Sequence, residues 1–331
     1  MSDYQLIDQQ PFSGQTRRLK MMRDGCYFAS FIVATDYPTH FRLKPEIHPL
    51  CTPAGMPVTD SHQYCFIHHQ ALMLGHGKVL ADGDDKPVDF YRKLPFPDAE
   101  REDRFHSDFN LFEMGPSGIQ ALRDVRWSLG ERIVLELTLD WRTRQWGSGD
   151  GEILMTERRL YALHQTDRCT VVDVFTHLEP ADRPVTLKAD LHSLPGVRVH
   201  DLIDHEDGGT LRDSLGRVNQ PGKYFGLGEN DQPPAWVDCT GRVGGQVVGV
   251  AMIAHPDNQR NQWYYREFGL MEVSPALSED VRVTAAEPLN FAVRYVAHDG
   301  ELTDGQVAAF ERELAELTPE AVAAPLGAEA R

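Results

Sequence analysis

The clearest alternation of apolar and polar residues along the chain runs over residues 133–141. A period of two is typical of a β-strand that has one face in the core and a wetter opposite face. Residues 153–163 and 168–178 follow after short turns, so the three segments predict an antiparallel meander. The apolar positions of the first strand are Ile133, Leu135, Leu137, Leu139 and Trp141.

Other segments extend this β pattern until close to the end of the chain. Residues 25–35 are aromatic and β-branched, which favours a buried strand, and residues 244–254 are apolar on both faces, as in a central strand. Helical periodicity appears only in residues 306–317, where Thr303 or Asp304 can cap the helix. We therefore predict a mainly β fold, a large antiparallel β-sandwich with a short C-terminal helix.

Domain limits and surface segments follow from composition. We predict a single β-sandwich domain over residues 1–317 and a flexible tail over residues 318–331, which are rich in Ala, Glu and Pro. Residues 77–102 are acidic and rich in turn formers, so we interpret them as a surface loop that either connects strands or covers a site.

Charge and targeting features narrow the classes of partner. The 331 residues carry a formal charge of −17, which disfavours nucleic acid and anionic membranes as partners. The start of the chain lacks a signal-peptide pattern and no apolar run could span a bilayer, so we predict a cytoplasmic protein, with a homo-oligomer left open. Five cysteines without Cys-x-x-Cys spacing predict buried, reduced thiols rather than disulfides or a thiolate zinc site.

Imidazole chemistry is concentrated in residues 60–77, which hold four of the fourteen histidines: His62, His68, His69 and His76. Imidazole titrates near neutral pH and is a common metal ligand. In an extended chain His68 and His69 would point to opposite faces, whereas His62 and His68 share parity. A divalent metal at His62, His68 and His76 is one hypothesis, helped by His106, His192 or His255; general acid and base catalysis without metal is the other.

A carboxylate in the predicted meander needs an explanation. Glu157 shares its strand face with apolar neighbours, and a buried carboxylate requires a partner or a purpose. It either pairs with Arg159 or a neighbouring-strand arginine, or sets the protonation of a facing histidine.

Four separated segments carry a resemblance to a known family. The first has Pro49-Leu50-Cys51-Thr52-Pro53-Ala54-Gly55, then His68-His69 and Gly75-His76-Gly77; the second is Gly151 to Tyr161, with Glu157-Arg158-Arg159. The third is Ala235-Trp236-Val237-Asp238, leading to His255-Pro256 with Asn258 and Arg260. The fourth is Trp263-Tyr264-Tyr265-Arg266-Glu267-Phe268-Gly269-Leu270.

In this order the segments resemble a bacterial family of unknown function, the PmoA-like (DUF6807-type) family, over about residues 45–300. The family has Arg where this chain has Gln70, and His where it has Tyr264. Its name implies a methane oxygenase, but such subunits are embedded in membranes, so we set the name aside. The association of family members with sugar oxidoreductases and keto-sugar hydrolases implies carbohydrate metabolism, and the fold expected is a mutarotase-like supersandwich.

The combined hypothesis is an enzyme that acts on a carbohydrate or oxidised keto-sugar through histidine acid/base chemistry, as a lyase, hydrolase or epimerase. A metal-dependent oxygenase or hydrolase and a non-catalytic sugar-binding module are the alternatives. The predicted catalytic residues are His68, His69, His76, Glu157 and His255. The predicted substrate-binding residues are His62, His192, Trp236, Asp238, Asn258, Trp263 and Arg266.

Overall fold

A computed structural model describes residues 3–9, 16–34, 44–63, 66, 68–91, 116–145, 149–224 and 232–327. Two large sheets and one small sheet organise these residues. All pairings between their named strands are antiparallel, which confirms the predicted large antiparallel β architecture.

The nine-stranded sheet combines N-terminal strands with strands from the second half of the chain. Its order is β1, β2, β3, β4, β5, β12, β18, β17, β14. These strands are β1 (Tyr4–Gln9), β2 (Arg18–Arg23), β3 (Cys26–Ile32), β4 (Glu46–Leu50), β5 (Leu72–His76), β12 (Ser193–Arg198), β14 (Gly222–Tyr224), β17 (Gln262–Tyr265) and β18 (Leu270–Ser274).

The eight-stranded sheet contains the predicted meander, and a separate three-stranded sheet packs against residues of both large sheets. The eight-stranded order is β13, β15, β16, β20, β10, β9, β8, β7, and the small sheet runs β19, β11, β6. Their bounds are β6 (Val79–Ala81), β7 (Gly118–Leu129), β8 (Ile133–Gln145), β9 (Gly149–Gln165), β10 (Cys169–Pro180), β11 (Val185–Leu187), β13 (Thr210–Asp213), β15 (Trp236–Val243), β16 (Gln246–Ala254), β19 (Val281–Val283) and β20 (Leu289–Asp299).

The two large sheets share a core. Alternate residues of β8, from Ile133 to Leu139, pack there with Val197 of β12 and Val273 of β18. Successive side chains of a strand point to opposite faces, so this alternation also fixes which residues leave the core. On β18, Met271 and Val273 lie in the shared core, which places the intervening Glu272 on the outer face of the nine-stranded sheet.

Strand β16 is central and covered on both faces, as predicted. It lies between β15 and β20. Val248 and Val250 enter the shared core, whereas Ala251 and Ile253 pack beneath the C-terminal helices.

The helix predicted near the end is confirmed as α1 (Asp304–Ala315), and a capping box between Thr303 and Gln306 defines its start. The flexible tail predicted over residues 318–331 is not what the structure shows for residues 319–326, and residues 328–331 lie outside the described residues. A second helix, α2 (Pro319–Ala323), is followed by a 3-10 turn (Ala324–Leu326), and Val322 and Leu326 are buried against the eight-stranded sheet.

Two further expectations need correction. The predicted surface loop at residues 77–102 includes β6 and the buried Val88, Phe90 and Tyr91; residues 92–102 lie outside the described residues. Cys26 is exposed, whereas Cys51, Cys169 and Cys239 are free and buried as predicted, and Cys65 lies outside the described residues. Within the described ranges, every helix is too short or too polar to cross a membrane.

Candidate functional site

Six rings gather on the outer face of the nine-stranded sheet, and we call them the ring cluster. Phe66 stacks on Phe268 with 4.4 Å between centroids, and on His69 with 4.8 Å. The ring centroid of His68 lies 4.3 Å from that of His69 and 5.6 Å from that of His192. The cluster consists of Phe66, His68, His69, Tyr91, His192 and Phe268.

Adjacent histidines share this cluster because their segment is not extended. Strand β5 begins only at Leu72, and the His69 N–H donates to the Phe66 carbonyl at 2.8 Å in a tight turn. The turn brings the rings of His68 and His69 to one side. The opposite-face arrangement expected for an extended chain therefore does not apply, because this segment is a turn.

A buried lysine joins the histidine turn to Tyr91. Lys44 Nζ donates to the carbonyls of His68 at 3.0 Å and Tyr91 at 2.7 Å, and it lies 4.0 Å from the Tyr91 ring centroid. Gly75 makes room for this side chain, since a Cβ there would collide with the Lys44 stem. Lys44 thus fixes two cluster segments that are far apart in the sequence.

A carboxylate from the sheet itself underlies the cluster. Glu272 is fully buried, and the Tyr91 hydroxyl donates to its Oε1 at 2.5 Å. On the neighbouring strand β12 a Cβ at Gly196 would lie 2.7 Å from Glu272 Cγ, so glycine is needed there. On the other side, Tyr264 of β17 lies opposite Glu272 in the strand register. The carboxylate therefore holds the Tyr91 ring in place between the sheet and the histidines.

At one end of the cluster an imidazole is backed by a carboxylate. His192 Nδ1 lies 3.4 Å from Asp190 Oδ1, and the same oxygen accepts from the His192 backbone N–H at 3.1 Å. The Asp190 side chain is 6% exposed and that of His192 is 28% exposed. His192 is therefore an oriented imidazole with access to solvent, and its ring also contacts Tyr91 at 5.1 Å.

At the other end, a buried arginine lies against the rings. The Arg198 guanidinium carbon is 5.5 Å from the Phe66 centroid and 5.2 Å from that of Phe268. Burial lowers the pKa of Arg198, and burial together with His68, Arg198, His192 and Lys44 holds the pKa of His69 well below its usual value. His69 is therefore a neutral imidazole at physiological pH.

The fourth sequence segment reaches the cluster through Phe268 and Arg266. Arg266 stacks on Phe268 at 5.1 Å, donates to the Tyr264 hydroxyl at 3.0 Å and pairs with Glu267. Hydrogen bonding to Glu267 raises the pKa of Arg266. The first and last segments of the resemblance thus meet on one sheet face, with Arg266 at the rim.

His62, His68 and His76 do not form one group of ligating side chains in the described part of the chain. His76 is fully buried; its Nδ1 lies 2.9 Å from Ser193 Oγ and its Nε2 2.8 Å from the Lys188 carbonyl, so both ring nitrogens have protein partners. His62 lies at a left-handed position before the turn, where its N–H donates to the His69 carbonyl. Among the described residues, the only group of three ligating side chains within 4.8 Å is Asp201, Asp204 and Asp207.

Both predicted tryptophans pack in cores. Trp263 points into the core between the sheets, whereas Trp236 packs beneath the C-terminal helices, with the Arg212 guanidinium 5.3 Å above its ring. On β17 it is Tyr264, not Trp263, that faces outward with the ring cluster.

Glu157 and Asp238 lie in saturated ion pairs of the eight-stranded sheet. Glu157 is fully buried, bound by Arg159 at 2.5 Å and by Trp141 Nε1 at 2.8 Å, so the interpretation as a structural pair holds. Asp238 accepts from Arg212 at 2.9 Å and lies 3.0 Å from His298 Nε2. Burial alone would raise the Asp238 pKa, but His298 and Arg212 lower it.

His255 and Asn258 form a turn at the end of β16. His255 Nδ1 accepts from the Asp257 N–H at 3.1 Å, and Asn258 exchanges two hydrogen bonds with the backbone of Ala292 at 2.8 and 2.9 Å. These contacts tie the turn to β20, which is an ordinary structural role for such residues in a turn. Their predicted catalytic and binding roles receive no support from this placement.

The profile described as "Family of unknown function (DUF6807)" matches residues 18–311. The chain belongs to this family. No curated protein matches the sequence. The DUF6807 description states no activity, and it does not include the methane-oxygenase name of the sequence resemblance.

Three solved structures illustrate what this DUF6807 protein is similar to. A candidate kojibiose phosphorylase from the human microbiome is 8% identical with a TM-score of 0.33 over 98% of this chain, which spans only 30% of that protein. A candidate aldose 1-epimerase from Escherichia coli K12 is 9% identical with a TM-score of 0.32, covering 91% of this chain and 100% of that one. A candidate mutarotase from Salmonella typhimurium is 11% identical, at 0.28 over 88% and 97%. All three TM-scores are low, and we infer nothing about this protein from these three structures.

Several central residues of this DUF6807 protein were missed from the sequence. Tyr91 and Lys44 belong to segments without a local pattern that marks them. Glu272 had a usable signal, since it is a lone carboxylate within the otherwise apolar and small residues 270–274. The same reasoning that singled out Glu157 applies to it. Arg198 is the last residue of β12, whose other residues are uncharged, and had a weaker signal of the same kind.

Proposed function

We propose that this DUF6807 protein is an enzyme that acts on a carbohydrate or oxidised sugar by general acid and base catalysis at the ring cluster. His68 and His192 are the proton-transferring groups. The observation that carries the proposal is their juxtaposition. Two imidazoles 5.6 Å apart contact the same tyrosine, and one of them is backed by the buried carboxylate of Asp190.

The Asp190–His192 pair supports the choice of His192 as the base. A carboxylate that accepts from one ring nitrogen fixes the tautomer and leaves the other nitrogen to take up a proton. Because His192 is partly exposed, that nitrogen can meet a ligand. His68 is more buried and lies across the Tyr91 ring, where it can return a proton to the opposite side of the substrate.

Aromatic faces of the cluster suit a sugar ring. Half-buried Phe66 and Phe268 can pack against the C–H patches of a pyranose, while Tyr264 and Arg266 at the rim can meet its hydroxyls. Burial raises the pKa of the Tyr264 phenol, which therefore remains a hydrogen-bond donor at neutral pH.

The chemistry follows from these positions. His192 takes the proton from a carbon next to the sugar carbonyl, and the electron pair of that C–H bond moves into an enolate. His68 then donates a proton, either to the other face of the carbon, giving an epimer, or to a departing oxygen, giving elimination. Tyr91 and Glu272 position the two imidazoles and touch no reacting atom in this scheme.

Exchange of carbon-bound hydrogen with solvent tests the proposal directly. The protein is incubated with aldoses, keto-sugars and sugar acids in D2O, and loss of the C–H signal next to the carbonyl is followed by proton NMR. We expect exchange with at least one sugar, reduced about 100-fold or more in His68→Gln and in His192→Gln.

The matched control is His177→Gln, which changes an exposed histidine on β10 that bonds Asn290. It should exchange at the wild-type rate. Sugar binding without exchange or turnover would instead identify a non-catalytic sugar-binding module. Equal rates in wild type and both cluster variants would contradict the assignment of His68 and His192.

A further inference from the structure

Two buried polar groups at the Phe268 end of the ring cluster have atoms without partners. Arg198 is 3% exposed, and its Nε and Nη1 are buried without an acceptor anywhere in the described part of the chain. His69 is 2% exposed, and its Nδ1 is likewise buried without a partner there. Buried donors left unpaired are rare and destabilising, so each needs an explanation.

These two groups are neighbours within one arrangement of rings. The Phe66 ring lies 4.8 Å from that of His69 and 5.5 Å from the Arg198 guanidinium carbon. Phe268 lies 5.9 Å and 5.2 Å from the same two groups. Arginine and histidine therefore contact the same pair of phenylalanines.

The acidic groups near Arg198 leave its charge undercompensated. Only Nη2 reaches a carboxylate within the described residues, that of Asp201 at 3.3 Å, and Asp201 is half exposed. Because burial outweighs the nearby carboxylates, the pKa of Arg198 is lowered rather than raised. The carboxylates that act on it are Asp201, Asp204, Asp60 and Glu206.

We propose that Arg198 and His69 bind the carboxylate of the substrate, so that the sugar this site accepts is a sugar acid. The inference rests on the proposed function and names its substrate class. A carboxylate accepts from the free guanidinium donors and from a neutral imidazole N–H. The bound acid then extends along the ring cluster toward His68 and His192, which places its reacting carbon away from its charged end.

A single carboxylate fits better than a phosphate. The free donors come from one guanidinium and one neutral imidazole, and Asp201 already lies beside the guanidinium. A phosphate dianion would bring a second negative charge close to that carboxylate. Phe66 and Phe268 cover the free donors, so binding requires these two half-buried rings to separate.

Calorimetric titration of the full chain tests the assignment. D-Gluconate and D-glucuronate are compared with the neutral matched sugar D-glucose and with D-glucose 6-phosphate. For the wild type we expect a sugar acid to bind about 10-fold or more tightly than glucose. In Arg198→Met, which keeps the stacking volume, this preference should vanish while glucose affinity changes less than twofold.

Two further variants keep the result interpretable. His69→Phe preserves stacking and should weaken acid binding several-fold; Arg198→Lys retains a charge and should keep part of the preference if Arg198→Met fails to fold. Arg242→Met removes an exposed arginine at the β15–β16 turn and should change nothing. Equal wild-type affinity for acid and neutral sugar, a preference for the phosphate, no binding of any sugar, or full preference in Arg198→Met would overturn the proposal.

The outcomes also separate this inference from the proposed function. Hydrogen exchange on neutral sugars with no preference for acids would contradict the carboxylate site and leave the acid/base enzyme standing. Tight acid binding that depends on Arg198, with no exchange or turnover, would support the carboxylate site and contradict the enzyme.

Discussion

Two regions of this protein bury the same kinds of side chain with opposite results. In the eight-stranded sheet, Glu157 is bound by Arg159 and Trp141, and Asp238 by Arg212 and His298. At the ring cluster, His69 and Arg198 are also buried, but they contact aromatic rings, and His69 Nδ1, Arg198 Nε and Arg198 Nη1 have no hydrogen-bond partner among the described residues. Burial of charged groups alone therefore does not mark a functional site; at Arg198 and His69 burial coincides with unpaired donors of neighbouring groups, and we assign function there.

We therefore assign a role in stability to the ion pairs of the eight-stranded sheet and a role in ligand chemistry to the ring cluster. Substitutions in the saturated pairs should unfold the protein without a specific effect on the site. Substitutions in the ring cluster should change binding or turnover at nearly constant stability.

Among these predictions, the substitution Glu157→Gln should have the largest effect on the free energy of unfolding. Removing the charge leaves the fully buried guanidinium of Arg159 without its counterion, which should lower the free energy of unfolding by about 3–5 kcal/mol. Urea denaturation measures it, with Glu152→Gln as the control because that exposed carboxylate pairs with Arg183 at the surface. A decrease in the free energy of unfolding of less than about 1 kcal/mol would contradict the structural role of this pair.

The next largest effect is the pH dependence of stability that comes from His76, a buried histidine to which we assign a structural role. Burial lowers its pKa to about 4, so the unfolded chain takes up a proton near the usual imidazole value while the folded protein does not. Stability from neutral His76 is therefore present above about pH 6.5 and lost as pH falls toward 4, by about 3 kcal/mol.

His76→Gln should remove this pH dependence. Asp204 acts in the opposite direction, since burial raises its pKa to about 6, so the difference between wild type and variant at each pH is the quantity to measure. A difference that does not change between pH 7 and 4.5 would show that His76 is not held neutral in the fold.

A smaller effect tests the orientation of His192. Asp190→Asn keeps the shape of the side chain but removes the carboxylate oxygen that faces His192 Nδ1. We expect turnover to fall about 10-fold or more, with the unfolding free energy within about 1 kcal/mol of wild type. Unchanged turnover would mean that Asp190 merely caps the turn through the His192 N–H.

The smallest effect lies at the rim of the cluster. The pair of Arg266 and Glu267 is about one-third exposed, so Glu267→Gln should change the unfolding free energy by less than about 1 kcal/mol. In this variant Arg266 has lost its partner and can turn toward a bound sugar acid. The affinity of the protein for the sugar acid, measured by calorimetry, should therefore rise slightly. A loss of several kcal/mol would place this pair with the saturated region.

Much of the fold follows from local patterns in the sequence. Alternation identified β8, two-sided apolarity identified β16, and Thr303 was one of two predicted caps for α1. These features depend on residues a few positions apart. The tail prediction failed because Val322 and Leu326 are buried by tertiary packing, which composition does not show.

The candidate site was predictable only in part. The histidine segment was recognised, but its turn depends on Lys44, whose bonds to the carbonyls of His68 and Tyr91 join distant segments. Trp263 was assigned to the substrate although strand alternation makes its neighbour Tyr264 the outward residue. Arg198 becomes informative only in three dimensions, where its Nε and Nη1 are buried without a partner among the residues that the structure describes.

A crystal structure of the protein soaked with D-gluconate tests the central claim most directly. We expect ligand density on the ring cluster, with the carboxylate at Arg198 and His69 and the chain of the sugar acid directed toward His192. A cleft of about 500 Å³ on the eight-stranded sheet offers the rival location, lined by Leu202, Thr210, Arg212, Thr240 and Glu301 among others. Ligand bound in that cleft, with the ring cluster unchanged, would contradict the account.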